Sequence, residues 1–141
     1  MVDQDPTALR KVYFDAWQKT LQNLPLTPME AIISDIIKRH PEYQPIFSDP
    51  ENFNDLQNEK FALDHNPFFH LGLHVTIAEQ VGANRPLGIR PLYQRLLKKY
   101  GDQNQAEHKM MECLARILVD SFQQSNSVNE KRYLEAIRRL L

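Results

Sequence analysis

Two histidines, His70 and His74, lie four residues apart in the apolar stretch NPFFHLGLH at residues 66–74. Neutral imidazole is a common ligand of transition metals, and it also gains or loses a proton near neutral pH. On a helix, side chains four residues apart lie on one face, about 5–6 Å apart. The two imidazoles can therefore serve one ion, provided that this segment is helical.

A second pair with the same spacing, His108 and Glu112, lies in the stretch AEHKMMECLA at residues 106–115. Helix bundles build metal sites from inward-pointing side chains on facing helices. The sequence therefore predicts a metal site formed by His70, His74, His108 and Glu112. Three imidazoles and a carboxylate suit a divalent ion such as zinc, iron, nickel or manganese.

Three further side chains are secondary candidates for this site. Glu107 lies on a neighbouring edge of the same predicted helix as His108, where it is either an acceptor behind a ligand or a further ligand. His65 directly precedes the predicted helix of His70 and can reach back as a ligand. Glu79 is about half a turn away from the histidine pair, so a salt bridge suits it better than coordination.

A metal-free interpretation of the same residues remains open. His70, His74, His108 and Glu112 can form a hydrogen-bonded cluster in which Glu112 fixes the tautomer or the charge of one imidazole. His40, at the end of another predicted helix, is explained by the favourable interaction of an imidazole with a helix C-terminus. Cys113 is predicted to face solvent.

Capping signals mark the helices that must position these residues. The segment Thr27-Pro28-Met29-Glu30 has the pattern of a capping box, and Asn66-Pro67 has the pattern of a helix start. Strand alternation does not occur, so the fold class predicted is all-α. We expect a single-domain bundle of about five to six helices over residues 1–141. A long irregular connection is expected at about 42–66, where Pro45 and Pro50 interrupt the pattern; short helical turns within it are the alternative, although the pattern does not place them.

Composition excludes several classes of function. The chain has 141 residues, with 17 basic and 18 acidic side chains and a net charge of −1, so no overall bias toward nucleic acid or a membrane surface is expected. One cysteine excludes an internal disulfide, and the N-terminus has no signal-peptide pattern. These features predict a cytoplasmic protein.

The connection at 42–66 supports a second functional hypothesis. Its prolines and aromatic residues exceed the needs of a simple connector, and long loops often carry binding functions. The alternative function is therefore a non-enzymatic protein-interaction module, with a protein partner or a second copy of the chain bound there or at the last helix.

The same motifs resemble a known family. NPFFHLGLH followed by AEQ, then RPLGIRPLYQRLL and AEHKMMECL, are similar to the pattern of the bacterial family called domain of unknown function 1841. The resemblance extends from VYFDAW through HPEY to the last helix. It implies a small cytoplasmic bacterial protein with emphasis, but no assigned roles, on His70, His74, Glu79, Glu107, His108 and Glu112. A weaker likeness to hemerythrin-type bundle metalloproteins, with the motif order reversed, is analogy alone.

Overall fold

The computed structural model describes residues 6–56, 66–124 and 129–141, and it confirms the all-α class. No strand occurs within these ranges, and the helices outnumber the five to six that were predicted. They are α1 (Pro6–Leu21), α2 (Pro28–Lys38), α3 (Gln44–Ser48), α4 (Pro50–Leu56), α5 (Pro67–Ala83), α6 (Ile89–Tyr100), α7 (Gln103–Gln124) and α8 (Glu130–Arg138).

The chain divides into two compact units, residues 1–72 and residues 73–141. In the first unit, α1 packs against α2 and α3, and α3 packs against α4. The core of this unit is rich in aromatic and isoleucine side chains. Its buried members include Tyr13, Trp17, Ile33, Ile36, Ile37, Phe47, Phe53 and Phe68. The single domain predicted over residues 1–141 stays a prediction.

The prediction of an irregular connection at 42–66 was wrong, because most of the described part of this segment forms short helical turns. A turn of 3-10 helix at Pro41–Tyr43 is followed by α3 and α4, while residues 57–65 lie outside the described ranges. Pro41 and Pro50 each stand at the start of a helix, a position that needs no backbone N–H from proline. Phe47 is fully buried and Phe53 nearly so. Packing of these two rings stabilises helices that are too short to persist alone.

In the second unit, α7 packs against both α6 and α8. Its buried stripe contains Met110, Leu114 and Ile117, which follow the spacing of one helical face. The last part of α5 also belongs to this unit, and its Gln80 accepts a hydrogen bond from the Tyr133 hydroxyl of α8 at 2.7 Å.

Helix starts agree with the capping signals in the sequence. The Thr27 hydroxyl accepts from the Glu30 amide, and the Glu30 carboxylate accepts from the Thr27 amide, so the capping box is complete. The Asn66 side chain accepts from the amides of Phe68 and Phe69 at 2.9 and 3.2 Å. This cap places the start of α5, and with it the turns that carry His70 and His74.

Among the residues that the structure describes, none of the helices combines the length and the apolar character that a membrane span requires.

Candidate metal site

In the second unit, His74 and His108 meet through their ring nitrogens. His74 projects from α5 and His108 from α7, and their Nε2 atoms are 3.1 Å apart. The two rings are inclined by 63° with centroids 4.9 Å apart. His74 is fully buried and His108 is partly exposed. The contact between α5 and α7, on which the predicted site depends, is therefore present at His74.

The other ring nitrogen of His74 is held by a buried carboxylate. Its Nδ1 lies 2.8 Å from Oε1 of Glu107, and the Glu107 side chain is 4% exposed. The Tyr93 hydroxyl of α6 donates to the other oxygen, Oε2, at 3.0 Å. Because the carboxylate accepts through both oxygens, it fixes the His74 ring with Nδ1 protonated and Nε2 turned toward His108.

The separation of the two Nε2 atoms suits two different states. In a metal-free state, one of the two nitrogens carries a hydrogen and donates it to the other across 3.1 Å. In a metal-bound state, both nitrogens present lone pairs to one ion. Tetrahedral zinc bound at about 2.0–2.1 Å separates two ligand nitrogens by about 3.3–3.4 Å. A shift of a few tenths of an ångström, together with a change of the His108 tautomer that moves its hydrogen from Nε2 to Nδ1, therefore converts one state into the other.

The first unit contains a second pair of imidazoles, His40 and His70. Their Nε2 atoms are 3.3 Å apart, and the His70 ring meets the edge of the His40 ring at 76°. His40 is buried, and its Nδ1 lies 2.7 Å from the Ile36 carbonyl oxygen in the last turn of α2. The Tyr43 ring stacks on the His40 ring, with ring centroids 5.4 Å apart.

Of the remaining predicted site residues, two are exposed at the surface. Glu112 has a 63% exposed side chain whose Oε2 is 3.9 Å from Lys109 Nζ, and Glu79 is exposed on α5. A coordinating role for either of them stays a prediction. His65 lies outside the described residues. Glu107, a secondary candidate, makes the direct contact with His74 described above.

The phase of α7 explains why Glu107 points inward and Glu112 outward. At about 100° per residue, these two carboxylates are about 140° apart around the helix. The buried stripe of Met110, Leu114 and Ile117 includes the position of Glu107, which is three residues before Met110 and seven before Leu114. Helical spacing placed Glu107 at the edge of this stripe, but the packing of α7 decided that this edge is buried.

His40, in the first unit, was not among the metal ligands predicted from the sequence. No second histidine or acid stands four residues away from it, so helical spacing offered no signal. Its burial was the missing information, because a helix-end histidine explained by the helix dipole is expected to be exposed to solvent.

Comparison with known proteins yields one family. A family model described as domain of unknown function 1841 matches residues 5–139, which is nearly the whole chain. No curated protein and no solved structure gives a significant match.

Proposed function

The chain belongs to the family called domain of unknown function 1841, and from the geometry of its histidines we propose that it binds a divalent transition-metal ion. The observation that carries this proposal is the contact between His74 and His108, whose Nε2 atoms are 3.1 Å apart while Glu107 holds His74 Nδ1. Histidines that bind metals commonly donate their second ring N–H to a carboxylate, which orients the ring and raises its basicity.

The proposed ligands are His74 and His108 of the second unit. The coordinating role predicted for His70 from its spacing to His74 stays a prediction. Glu107 is proposed to orient the His74 ring and to offset the positive charge of the ion, without coordinating the ion itself. Glu112, exposed beside Lys109, is the weakest member of the set predicted from the sequence.

The donor set narrows the choice of ion. Imidazole nitrogens suit zinc, iron, nickel and copper, whereas manganese prefers carboxylate and water oxygens. With Glu112 at the surface, the proposed ligands are imidazoles, so zinc, iron or nickel are favoured over manganese. The cytoplasmic location predicted from the sequence remains part of this proposal.

The test is metal analysis of protein purified without an affinity tag, followed by zinc titration against a chromogenic chelator. We expect stoichiometric zinc in the wild type and strongly weakened binding in His74→Gln and His108→Gln. Glu112→Gln is the matched surface control and should bind zinc as the wild type does. Failure to find stoichiometric metal under any loading condition, or full binding by both histidine variants, would refute the proposal.

The same variants examine the metal-free alternative. If the cluster is purely structural, His108→Gln lowers the free energy of unfolding while neither protein binds metal, because a buried imidazole has then lost its hydrogen-bond partner. Circular dichroism melts in the presence of a chelator give that comparison directly.

The interaction-module alternative has lost part of its motivation. The aromatic residues that suggested a partner for residues 42–66 include Phe47 and Phe53, and both are buried in the first unit. Phe53 stacks on Phe14 with ring centroids 4.5 Å apart. Their presence is therefore explained by packing, and binding of a protein partner or of a second copy stays a prediction.

A further inference from the structure

His40 occupies an unusual position for a histidine at the end of a helix. It directly follows the C-cap residue Arg39 of α2, yet its side chain is only 2% exposed. Burial of an imidazole with an unsatisfied nitrogen is unfavourable, so the surroundings of both ring nitrogens have to be accounted for. Each of them meets a defined polar atom.

The first nitrogen, Nδ1, is fixed by the backbone. It lies 2.7 Å from the Ile36 carbonyl oxygen, an atom that can only accept. Nδ1 must therefore carry the hydrogen, and in the neutral ring Nε2 then has the lone pair. The carbonyl at the helix end thus selects one tautomer of His40.

The second nitrogen, Nε2, faces another imidazole. His70 Nε2 is 3.3 Å away, within the range of about 3.3–3.4 Å that separates two nitrogens on one tetrahedral ion. The Tyr43 ring lies nearly parallel to the His40 ring, inclined by 6°, and it also meets the edge of the His70 ring. Burial raises the pKa of the Tyr43 hydroxyl, so this residue stays a neutral phenol that supports both rings.

The two ring nitrogens of His40 are placed in the same way as those of His74. In both cases an acceptor holds Nδ1–H, a carbonyl oxygen for His40 and a carboxylate for His74, and Nε2 is turned toward a second imidazole. Backbone carbonyls and carboxylates are the two usual partners of the non-coordinating nitrogen in metal-binding histidines.

We propose that His40 is a metal ligand, and that it presents Nε2 together with His70 Nε2 to a divalent transition-metal ion. This inference rests on the proposed metal-binding function and extends it to the pair of imidazoles in the first unit. In the metal-free protein, the hydrogen between the two Nε2 atoms belongs to His70, because His40 already carries its hydrogen on Nδ1. Metal binding requires the other tautomer of His70, in which the hydrogen has moved from Nε2 to Nδ1, so that both rings stay neutral and both Nε2 atoms present lone pairs.

The first test is zinc affinity in His40→Phe, which keeps a planar ring against Tyr43 and removes both nitrogens. We expect the dissociation constant to rise by more than about tenfold, the scale on which even outer contacts of a metal site act. Tyr43→Phe is the matched control, because it keeps the stacked ring and should bind zinc as the wild type does. A folded His40→Phe protein with wild-type affinity would overturn the inference.

The second test needs no variant to fold. Long-range ¹H–¹⁵N spectra of histidine-labelled wild type report the protonation of each ring nitrogen. We expect His40 to be the Nδ1–H tautomer without metal, and its Nε2 signal to shift in proportion to added zinc until saturation. An unshifted His40 Nε2 signal in zinc-saturated protein contradicts the inference.

The outcomes separate this inference from the proposed function. If the wild type binds zinc and depends on His74 and His108 but not on His40, the inference about His40 alone is refuted. If the wild type binds no zinc, nickel or ferrous ion, the proposed function fails and the inference fails with it.

Discussion

Nδ1 of His74 lies 2.8 Å from Oε1 of Glu107, and both side chains are almost completely buried. A carboxylate withdrawn from water in this way requires partners, and it has them in the His74 ring and the Tyr93 hydroxyl. The contact fixes one orientation of the imidazole. Nε2 of His74 is thereby directed at His108.

We predict that Glu107→Gln weakens zinc binding by about 10–100-fold. The neutral amide no longer offsets the positive charge of the ion that the imidazole binds. Competition titration with a chelator of known affinity measures the change. Tyr93→Phe leaves the contact between Glu107 and His74 in place and should have a smaller effect. Equal affinities for Glu107→Gln and the wild type would show that the carboxylate does not act on the ion.

Metal should stabilise the fold by mass action. An ion that binds the native state alone adds about 2.7 kcal/mol at a free concentration of 100 times its dissociation constant. We therefore expect the melting temperature to rise with zinc and to return to its starting value with a chelator. In His108→Gln the same zinc concentration should leave the melting temperature nearly unchanged. A zinc-induced rise of equal size in both proteins would point to binding elsewhere.

Cys113 should react slowly with thiol reagents. The sequence pattern predicted a solvent-facing side chain, but Cys113 is buried on α7. Burial raises the pKa of its thiol, so less of the reactive thiolate is present at a given pH than in a free cysteine. At mildly alkaline pH, alkylation of the native protein should be much slower than alkylation in concentrated urea. Equal rates in the two conditions would contradict the observed burial.

Two glycine substitutions should have opposite effects on stability. Gly101 closes α6 with φ of +67°, a left-handed conformation that costs a residue with a side chain about 1–2 kcal/mol. Gly101→Ala should therefore lower the free energy of unfolding in urea. Gly82 lies inside α5, and apart from its chain neighbours and the adjacent backbone of its own helix no atom lies within 4 Å of an added Cβ, so Gly82→Ala should raise the free energy of unfolding by about 0.5–1 kcal/mol. Destabilisation by both substitutions would argue against the α5 boundary.

The capping box of α2 offers a further measurement. Thr27→Ala removes the hydroxyl that accepts from the Glu30 amide, and we expect a loss of about 1 kcal/mol in the free energy of unfolding. Thr27→Ser keeps an acceptor at the same place and should retain most of the stability. If serine is as destabilising as alanine, the methyl group rather than the hydroxyl is responsible.

The sequence by itself determined the features that depend on near neighbours along the chain. The all-α class, the caps at Thr27 and Asn66, and the placement of His70 and His74 on one helix all follow from contacts within about four residues. Such contacts carry the same meaning in any fold. Local pattern was misinterpreted at the connection predicted over 42–66, whose described part is mostly helical, and at Cys113, which was predicted to face solvent and is buried.

Tertiary structure alone decided which side chains the histidines meet. Helical spacing made Glu112 the natural partner of His108, but the packing of α7 set a rotation that buries Glu107 and leaves Glu112 in solvent. His40 and His70 are 30 residues apart, and no local pattern connects them. Rotation of a helix about its axis is set by the surface against which it packs, because hydrophobic burial summed over many side chains outweighs any single polar contact.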